Sequence, residues 1–503
     1  MMFEKSSGLN KTSSAPFVLP KKAVSATFPW MKIDTLPLVA IVGRPNVGKS
    51  TLFNAMVGER KSIVSDISGT TRDTLMDKIY GATADYWLLD TAGLTNAKGE
   101  ALEEEIQKQV KISCEQADLI LFLLDGTQEL TSDDRAVADR LRKSKTPFLF
   151  VANKVDDGDE TRAMDLAELG LGMPLVISAK NYTNMWDLQE AIEGSLTKAG
   201  FEKGEEVPSD DILRLAIVGR PNVGKSSLIN QLTGSERVVV SNVAGTTRDS
   251  IDVAYTDEAG QDYLLIDTAG LRRPGKVGRD LEFWSSVRTR RSMERADVCV
   301  ILIDALDGVT RQDMSIIGEV IEAGKGVLIC VNKLDLLQEK SRAEEETDER
   351  EIPGVTDWGE DLDKMRHKYE DYMIKKLPFC PWAKFLFFSA KTGRAVNDIF
   401  PAVGVIGVER KKRIATAELN RSLPDLTSGH VDPSIGTKRG KIKYVSQVDS
   451  APPKFLFFVN NIEAFHFSYQ RYLENKLREK FGFEGTPITV EMRDARENMK
   501  KKY

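Results

Sequence analysis

Gly43-Arg44-Pro45-Asn46-Val47-Gly48-Lys49-Ser50 recurs unchanged as Gly219-Arg220-Pro221-Asn222-Val223-Gly224-Lys225-Ser226, 176 positions further along a chain of 503 residues. Each copy is a glycine-rich turn whose backbone N–H groups can surround phosphate oxygens, with a lysine for the β- and γ-phosphates and a serine for Mg²⁺. The surroundings support that reading over a bare glycine turn. An apolar, strand-like run comes before each loop (Leu38–Val42; Leu215–Val218) and an amphipathic run follows it (Ser50–Asn54; Ser226–Asn230). The loop is therefore expected between a strand and a helix N-terminus.

The repeat extends far beyond the loop, as a duplicated domain requires and two chance motifs do not. Gly69-Thr-Thr-Arg-Asp73 returns as Gly245-Thr-Thr-Arg-Asp249, and Asp90-Thr91-Ala92-Gly93-Leu94 as Asp267-Thr268-Ala269-Gly270-Leu271. Asn153-Lys154-Val155-Asp156 returns as Asn332-Lys333-Leu334-Asp335, and Ser178-Ala179-Lys180 as Ser389-Ala390-Lys391. The offsets run 176, 176, 177, 179 and then 211, so the second copy carries about 32 extra residues after its fourth motif. Residues 339–371, with 13 Asp+Glu against 6 Lys+Arg, read as a solvated acidic insertion. Apolar runs such as Trp87–Leu89, Leu119–Leu124 and Phe148–Ala152 alternate with charged helical stretches. The expected fold class is α/β, with two doubly wound, mainly parallel sheets and a C-terminal α+β unit. The expected divisions are an N-terminal extension 1–36, a first unit 37–197, a linker 198–211, a second unit 212–404 and a C-terminal unit 405–503.

Composition bounds the rest. A chain of 503 residues suggests about three domains. The four cysteines, Cys114, Cys299, Cys330 and Cys380, have no metal-binding spacing and read mainly as buried free thiols. No apolar run approaches the roughly 18 residues of a membrane-spanning helix, so no stable membrane association is expected. The net charge of −6 splits unevenly: residues 409–503 carry 19 Lys+Arg against 12 Asp+Glu. A basic C-terminal unit beside acidic nucleotide units points to an anionic partner such as RNA, or equally to docking on its own acidic neighbours. DNA is not expected as a partner, and the protein is expected to be a cytoplasmic monomer. Residues 1–36 read as a flexible tail, a misassigned start or an organelle-targeting peptide, the last weakened by their lack of arginine.

Chemistry can be assigned motif by motif. Lys49 and Lys225 would neutralise the β/γ-phosphates, Ser50 and Ser226 would ligate Mg²⁺, and Thr71 and Thr247, favoured over Thr70 and Thr246, would complete the metal shell while γ-phosphate is present. Asp90 and Asp267 would hold the metal through water, and Gly93 and Gly270 would offer an N–H to the γ-phosphate. The Asn-Lys-x-Asp motifs set the base: the carboxylates of Asp156 and Asp335 can accept from the guanine N1–H and N2 amino group, which adenine lacks. Asn153 and Asn332 would brace the loop, while Lys154 and Lys333 pack along the base. GTP and GDP are the expected ligands. Leu94 and Leu271 stand where signalling GTPases usually place the glutamine that orients water, so hydrolysis needs other help. Arg72 and Arg248 are as readily structural ion-pair partners of Asp73 and Asp249 as arginine fingers.

The hydrophobic residue after Asp-Thr-Ala-Gly resembles the TrmE-Era-EngA-like GTPases. That resemblance implies slow, potassium-stimulated hydrolysis, with Asn46 and Asn222 as candidate K⁺ ligands against a loop-stiffening role. Tandem loops followed by Phe465–Tyr469, Arg471–Asn475 and Phe481–Pro487 are similar to the Der (EngA) family, whose third domain is KH-like; the resemblance covers roughly residues 37–500. It implies a nucleotide-controlled switch in maturation of the large (50S) ribosomal subunit, with its rRNA as partner. The alternative is a GTP-regulated RNA or protein scaffold in which one G domain is mainly structural; a metabolic phosphotransferase is disfavoured. In the C-terminal unit a helix is expected to stop at Leu423 before Pro424, with strands Lys441–Val445, Lys454–Val459 and Ile488–Met492 and a helix Ser468–Lys480. Gly482-Phe-Glu-Gly485 reads as a structural turn rather than an RNA-clamping loop. Lys438, Arg439, Lys441 and Lys443 are phosphate-contact candidates or a solvated strand edge, and His466 reads as a packed core histidine.

Overall fold

Five consecutive apolar residues, Leu38–Val42, are all buried, on both faces of the strand they form. Such a run suits only the centre of a parallel sheet covered on two sides. The computed structural model describes residues 36–58, 76–91, 108, 110–156, 165–201, 212–233, 238–240, 252–257, 260–268, 279–336, 362–428, 434–435 and 438–495.

The first unit runs β1 (Leu38–Val42), α1 (Lys49–Val57), β2 (Met76–Tyr80), β3 (Asp85–Asp90), β4 (Leu119–Asp125), α2 (Ser132–Lys143), β5 (Phe148–Asn153), β6 (Leu175–Val176) and α3 (Met185–Lys198). Its sheet order is β2-β3-β1-β4-β5-β6, with β2 antiparallel at the edge and the other pairings parallel. The chain leaves β1 toward β3 on one side and β4 on the other. That reversal opens a crevice at the carboxyl end of β1, where ligands of open α/β sheets bind. Leu38, Ala40 and Val42 enter the apolar cluster on one face, and Val39 and Ile41 enter the cluster on the other.

The second unit repeats the plan with β7 (Leu213–Gly219), α4 (Lys225–Thr233), β8 (Val238–Val240), β9 (Val253–Thr256), β10 (Asp262–Ile266), α5 (Arg279–Arg295), β11 (Val298–Asp304), α6 (Arg311–Glu322), β12 (Gly326–Asn332), α7 (Leu362–Lys376), β13 (Lys384–Phe387) and α8 (Ile399–Lys411). Its order is β13-β12-β11-β7-β10-β9-β8. The acidic segment is not solvated throughout. From Leu362 onward it is α7, which buries Tyr369, Tyr372 and Met373 against the sheet; its charge count concealed a helix with one apolar face, and residues 337–361 lie outside the described residues. Helix α8 runs across position 404 and packs Phe400, Val403 and Ile406 into the second unit's core.

The C-terminal unit comprises α9 (Thr416–Thr427), a two-stranded ribbon of β14 (Ser434–Ile435) and β15 (Lys438–Arg439), then β16 (Ile442–Ser450), β17 (Pro453–Val459), α10 (Phe467–Phe481) and β18 (Thr489–Asp494). In its sheet β17 pairs antiparallel with β16 and parallel with β18. Two expectations are corrected. Helix α9 continues past Pro424 to Thr427, because Leu426 still drops into the core beside Leu419; a proline removes one helix bond, and one more buried leucine offsets it. His466 is exposed: its Nδ1 accepts from the Ser468 N–H and caps α10, so it ends the aromatic stretch instead of packing within it.

The turn Gly482–Gly485 seats this unit on the second one. Val327 N–H donates to the Gly485 carbonyl at 2.7 Å, Gly485 N–H donates to Trp382 at 3.0 Å, and the Arg478 guanidinium lies 4.3 Å from the Trp382 ring centre. Phe483 is buried at φ 72°. The first unit meets the second through α5: Arg288 donates to Gln116 Oε1 at 2.8 Å, and Arg291 donates to the Leu36 carbonyl at 3.0 Å and pairs with Asp118 at 3.6 Å. Val287 packs into the first unit's apolar cluster.

Candidate nucleotide sites

At the carboxyl end of β1 the loop 43–50 wraps the start of α1. Gly48 has φ 96°, and a Cβ there would stand 2.3 Å from Asn153 Nδ2. Gly224 has φ 99°, with Asn332 Nδ2 2.2 Å from such a Cβ. Both the dihedral and the contact require glycine. Asn46 and Asn222, each at φ 65°, take the left-handed conformation that asparagine tolerates. Lys49 Nζ donates to the carbonyls of Gly43 (2.7 Å) and Arg44 (2.9 Å), and Lys225 Nζ to those of Gly219 (2.7 Å) and Arg220 (2.6 Å). Burial pulls both ammonium groups down to about 8. Each is thus a cation partly stripped of water and resting on two backbone carbonyls.

The Asn-Lys-x-Asp motifs close the frame. Asn153 Nδ2 donates to the Val47 carbonyl at 2.9 Å and its Oδ1 accepts from Ala179 N–H at 3.0 Å; Asn332 repeats both bonds, to Val223 (2.8 Å) and from Ala390 (2.9 Å). Asp156 and Asp335 each accept from a serine hydroxyl, Ser178 and Ser389, at 2.6 Å. Lys154 bonds Asp125 (2.8 Å) and the Asn46 carbonyl (2.6 Å), and Lys333 bonds Asp304 at 2.5 Å. Val155 and Leu334 are buried beneath the loops. The structure thus brings three sequence-distant motifs to one crevice, twice. Leu334, Asp335 and Ser389 line a cavity of about 320 Å³ with Thr392 and Arg394.

The two crevices part at the carboxylate that ends β3 in the first unit and follows β10 in the second. Asp90 Oδ2 accepts from Ser50 Oγ at 2.5 Å. Asp267 instead has φ 54°, its Oδ2 lies 3.0 Å from Ser292 Oγ on α5, and its buried Oδ1 has no hydrogen-bond partner among the described residues. Burial pushes Asp267 up to about 6 despite Arg288. Thr71, Ala92, Gly93, Leu94, Thr247, Ala269, Gly270 and Leu271 lie outside the described residues, as do Arg72 and Arg248.

Sequence reasoning missed a brace common to both sites. Arg44 Nε lies 3.4 Å from Asp134, and Arg220 Nε 3.0 Å from Asp313, with Asp307 3.1 Å from Arg220 as well. Asp134 and Asp313 are buried, and each closes a capping box with Thr131 or Thr310 at the start of α2 or α6. A single carboxylate therefore fixes a helix start and the second residue of the phosphate loop. The available signal was the Thr-x-x-Asp box at 131–134, repeated at 310–313.

Comparisons with known proteins agree with this geometry. A family model described as a 50S ribosome-binding GTPase matches residues 38–154 and again 214–333. One for the KH-domain-like C-terminal region of EngA bacterial GTPase enzymes matches 413–493. GTPase Der of Clostridium botulinum (strain Hall) is 42% identical over 92% of this chain and 99% of its own, and GTPase Der of Clostridium perfringens (strain SM101) is 41% identical over the same shares. Among solved structures, Aquifex aeolicus Era bound to GDP·AlF₄⁻ is similar to 56% of this chain and 92% of its own, with 20% identity and a TM-score of 0.27. Two GTPase units in tandem, a KH-like unit after them and this identity along nearly the whole length make the chain a member of the Der (EngA) family of GTPases.

Proposed function

We propose that this tandem GTPase is a nucleotide-controlled switch that binds the large ribosomal subunit during its maturation. The observation that carries the reading is the doubled nucleotide frame fused to a KH-like domain, in a chain whose G domains match a model named for 50S binding. A single frame would serve many GTPases; two in series on a basic C-terminal domain suit an assembly factor that reports on an RNA-rich particle.

In each site the loop amides and Lys49 or Lys225 take the phosphates, and Asp156 or Asp335 takes the N1–H and N2 amino group of guanine. The Ser178 and Ser389 hydroxyls, each 2.6 Å from those carboxylates, orient them. The donor set suits Mg²⁺, a hard cation that prefers oxygen ligands. Ser50 and Asp90 already converge in the first site, and the Oδ1 of Asp267, without a hydrogen-bond partner among the described residues, offers an oxygen in the second. Ser50, Asp90, Ser226 and Asp267 would hold the ion, with Thr71 and Thr247 joining them; when bound it supplies charge neutralisation across the β- and γ-phosphates. Asn46 and Asn222 would take part in holding K⁺, in which case hydrolysis is faster in KCl than in NaCl and Asn46→Ala with Asn222→Ala removes the difference.

The test is co-sedimentation with ribosomal subunits in KCl buffer, with GDP, with a non-hydrolysable GTP analogue and without nucleotide. Comigration with the large subunit that depends on the analogue is the expected result. Equal association in all states, or none, rejects the switch.

A further inference from the structure

The carboxylate of the Asp-Thr-Ala-Gly motif has two seats, and the two GTPase domains each fill a different one. In the first, Asp90 accepts from Ser50 of the phosphate loop. Ser113 is buried there with a hydroxyl that has no hydrogen-bond partner among the described residues. Ser292 stands at the matching place in the second domain: Ser113 and Ser292 each accept at their carbonyl the N–H of the alanine four residues on, Ala117 and Ala296, just before the next strand. In the second domain it is this helix serine that meets the carboxylate, 3.0 Å from Asp267 Oδ2.

The second seat is reinforced by groups that the first domain lacks. Asp252 Oδ1 accepts from the Asp267 backbone N–H at 2.9 Å, and its Oδ2 accepts from Arg295. By strand pairing and spacing, the matching positions of the first domain hold Met76 and Gln116, neither of them ionisable. Asp267 meanwhile sits at φ 54°, a left-handed conformation that a non-glycine residue keeps only where its surroundings impose it. Three of the groups around it, Arg288, Ser292 and Arg295, lie on α5, and the same helix is the one that meets the first domain through Arg288 and Arg291.

We propose that Asp252, Ser292 and Arg295 form a latch that holds Asp267 away from the metal position of the second site, and that docking of the first GTPase domain on α5 keeps the latch closed. The proposal rests on the reading of Asp267 as a magnesium-holding carboxylate. When α5 leaves Gln116 and Asp118, Ser292 withdraws, Asp267 swings to the seat that Asp90 occupies, and the second site gains affinity for Mg²⁺ with nucleotide. Linkage makes the effect reciprocal: loading the second site with the metal and nucleotide weakens the docking of the first domain.

The experiment uses the full chain carrying Asp156→Asn, which weakens guanine binding at the first site. It measures the Mg²⁺ concentration for half-maximal binding of a fluorescent non-hydrolysable GTP analogue, a binding readout independent of turnover. Ser292→Ala and, on the first domain's surface, Gln116→Ala are each expected to lower that concentration about threefold to tenfold, the worth of one or two hydrogen bonds. Ser292→Thr, which keeps the hydroxyl, stays at the parent value, and amide exchange in α5 rises in Gln116→Ala. Asp267→Asn raises the Mg²⁺ requirement. If Asp267→Asn raises it while Ser292→Ala and Gln116→Ala leave it unchanged, the latch is wrong; if only Gln116→Ala is silent, the docking half is overturned. If Asp267→Asn changes nothing, the metal reading of Asp267 falls and the proposal with it.

Discussion

Lys49 and Lys225 rest on equivalent carbonyls and Asn153 and Asn332 make equivalent bonds, yet Asp90 and Asp267 reach for different serines. The agreement lies where the backbone builds the site and the difference where one side chain chooses between two partners. The two domains therefore share the backbone frame that holds the two lysines and the two asparagines. The place of the Asp90 and Asp267 carboxylates differs with their neighbours, Asp252 and Arg295 in the second domain against Met76 and Gln116 in the first. A tandem GTPase built this way holds two similar crevices that differ at one carboxylate.

The sharpest way to break the claim of equal frames is at the loop glycines. An alanine Cβ would meet an asparagine amide at 2.3 Å in Gly48→Ala and at 2.2 Å in Gly224→Ala, on backbones at φ 96° and 99°. Relieving that overlap moves either the loop or the asparagine that positions the base motif, at about 3 kcal/mol, or roughly 100-fold in nucleotide affinity. The loss should be the same at both sites, measured by fluorescent-nucleotide titration with the other site silenced. A tolerated alanine in one domain would show that the frames are not alike.

The loop brace should show a graded difference. Among the described residues Arg220 faces two acids, Asp313 and Asp307, whereas Arg44 faces one acid, Asp134, and donates to the neutral Gln128. Asp134→Ala and Asp313→Ala each remove a capping box and leave a loop arginine with less charge opposite it, costing about 2 to 3 kcal/mol of domain stability. The KM for GTP should rise about tenfold with either change, more in the first domain, because Arg220 keeps Asp307 when Asp313 is removed. Thermal melts and site-resolved kinetics read the two effects separately. Equal rises would show that Asp307, exposed at the rim, contributes nothing.

Much of this was legible in the chain. Runs such as Leu38–Val42 and Leu119–Leu124 announce central parallel strands because every residue is apolar, and the repeated motifs mark where the strands end. What stayed hidden involves residues whose partners are remote. Thr131-x-x-Asp134 reads as a helix start and says nothing of Arg44, which lies 90 positions before Asp134. Asp252 looks like a turn residue until β9 and β10 bring it to Asp267. Net charge misread α7, because counting charges ignores which face Tyr369 and Met373 take. Proline rules misplaced the end of α9, where packing of Leu426 outweighed one lost backbone bond.

The smallest effect is the subtlest probe of the difference between the sites. Burial pulls Lys49 and Lys225 down to about 8, but the neighbours then act oppositely: Asp90 pushes Lys49 back up, whereas Arg220 pushes Lys225 further down. In nucleotide-free protein each lysine is charged below about pH 8 and loses its proton above it, while in the unfolded chain it stays charged to about pH 10.4. The unfolded chain thus binds more protons between those values, so the stability of the nucleotide-free domains gains from these lysines as pH rises through that window. Affinity for phosphate moves the other way, because it needs the ammonium: it is greatest well below pH 8 and falls as pH rises through about 8. Moving Asp267 from Ser292 toward the phosphate loop would give Lys225 the counter-charge that Lys49 already has. In Ser292→Ala the fall in affinity at the second site should therefore shift to higher pH than in the parent protein, which titrations of the two from pH 7 to 9.5 would resolve. A second-site curve that stays in place would mean that the carboxylate changes partner without approaching the lysine.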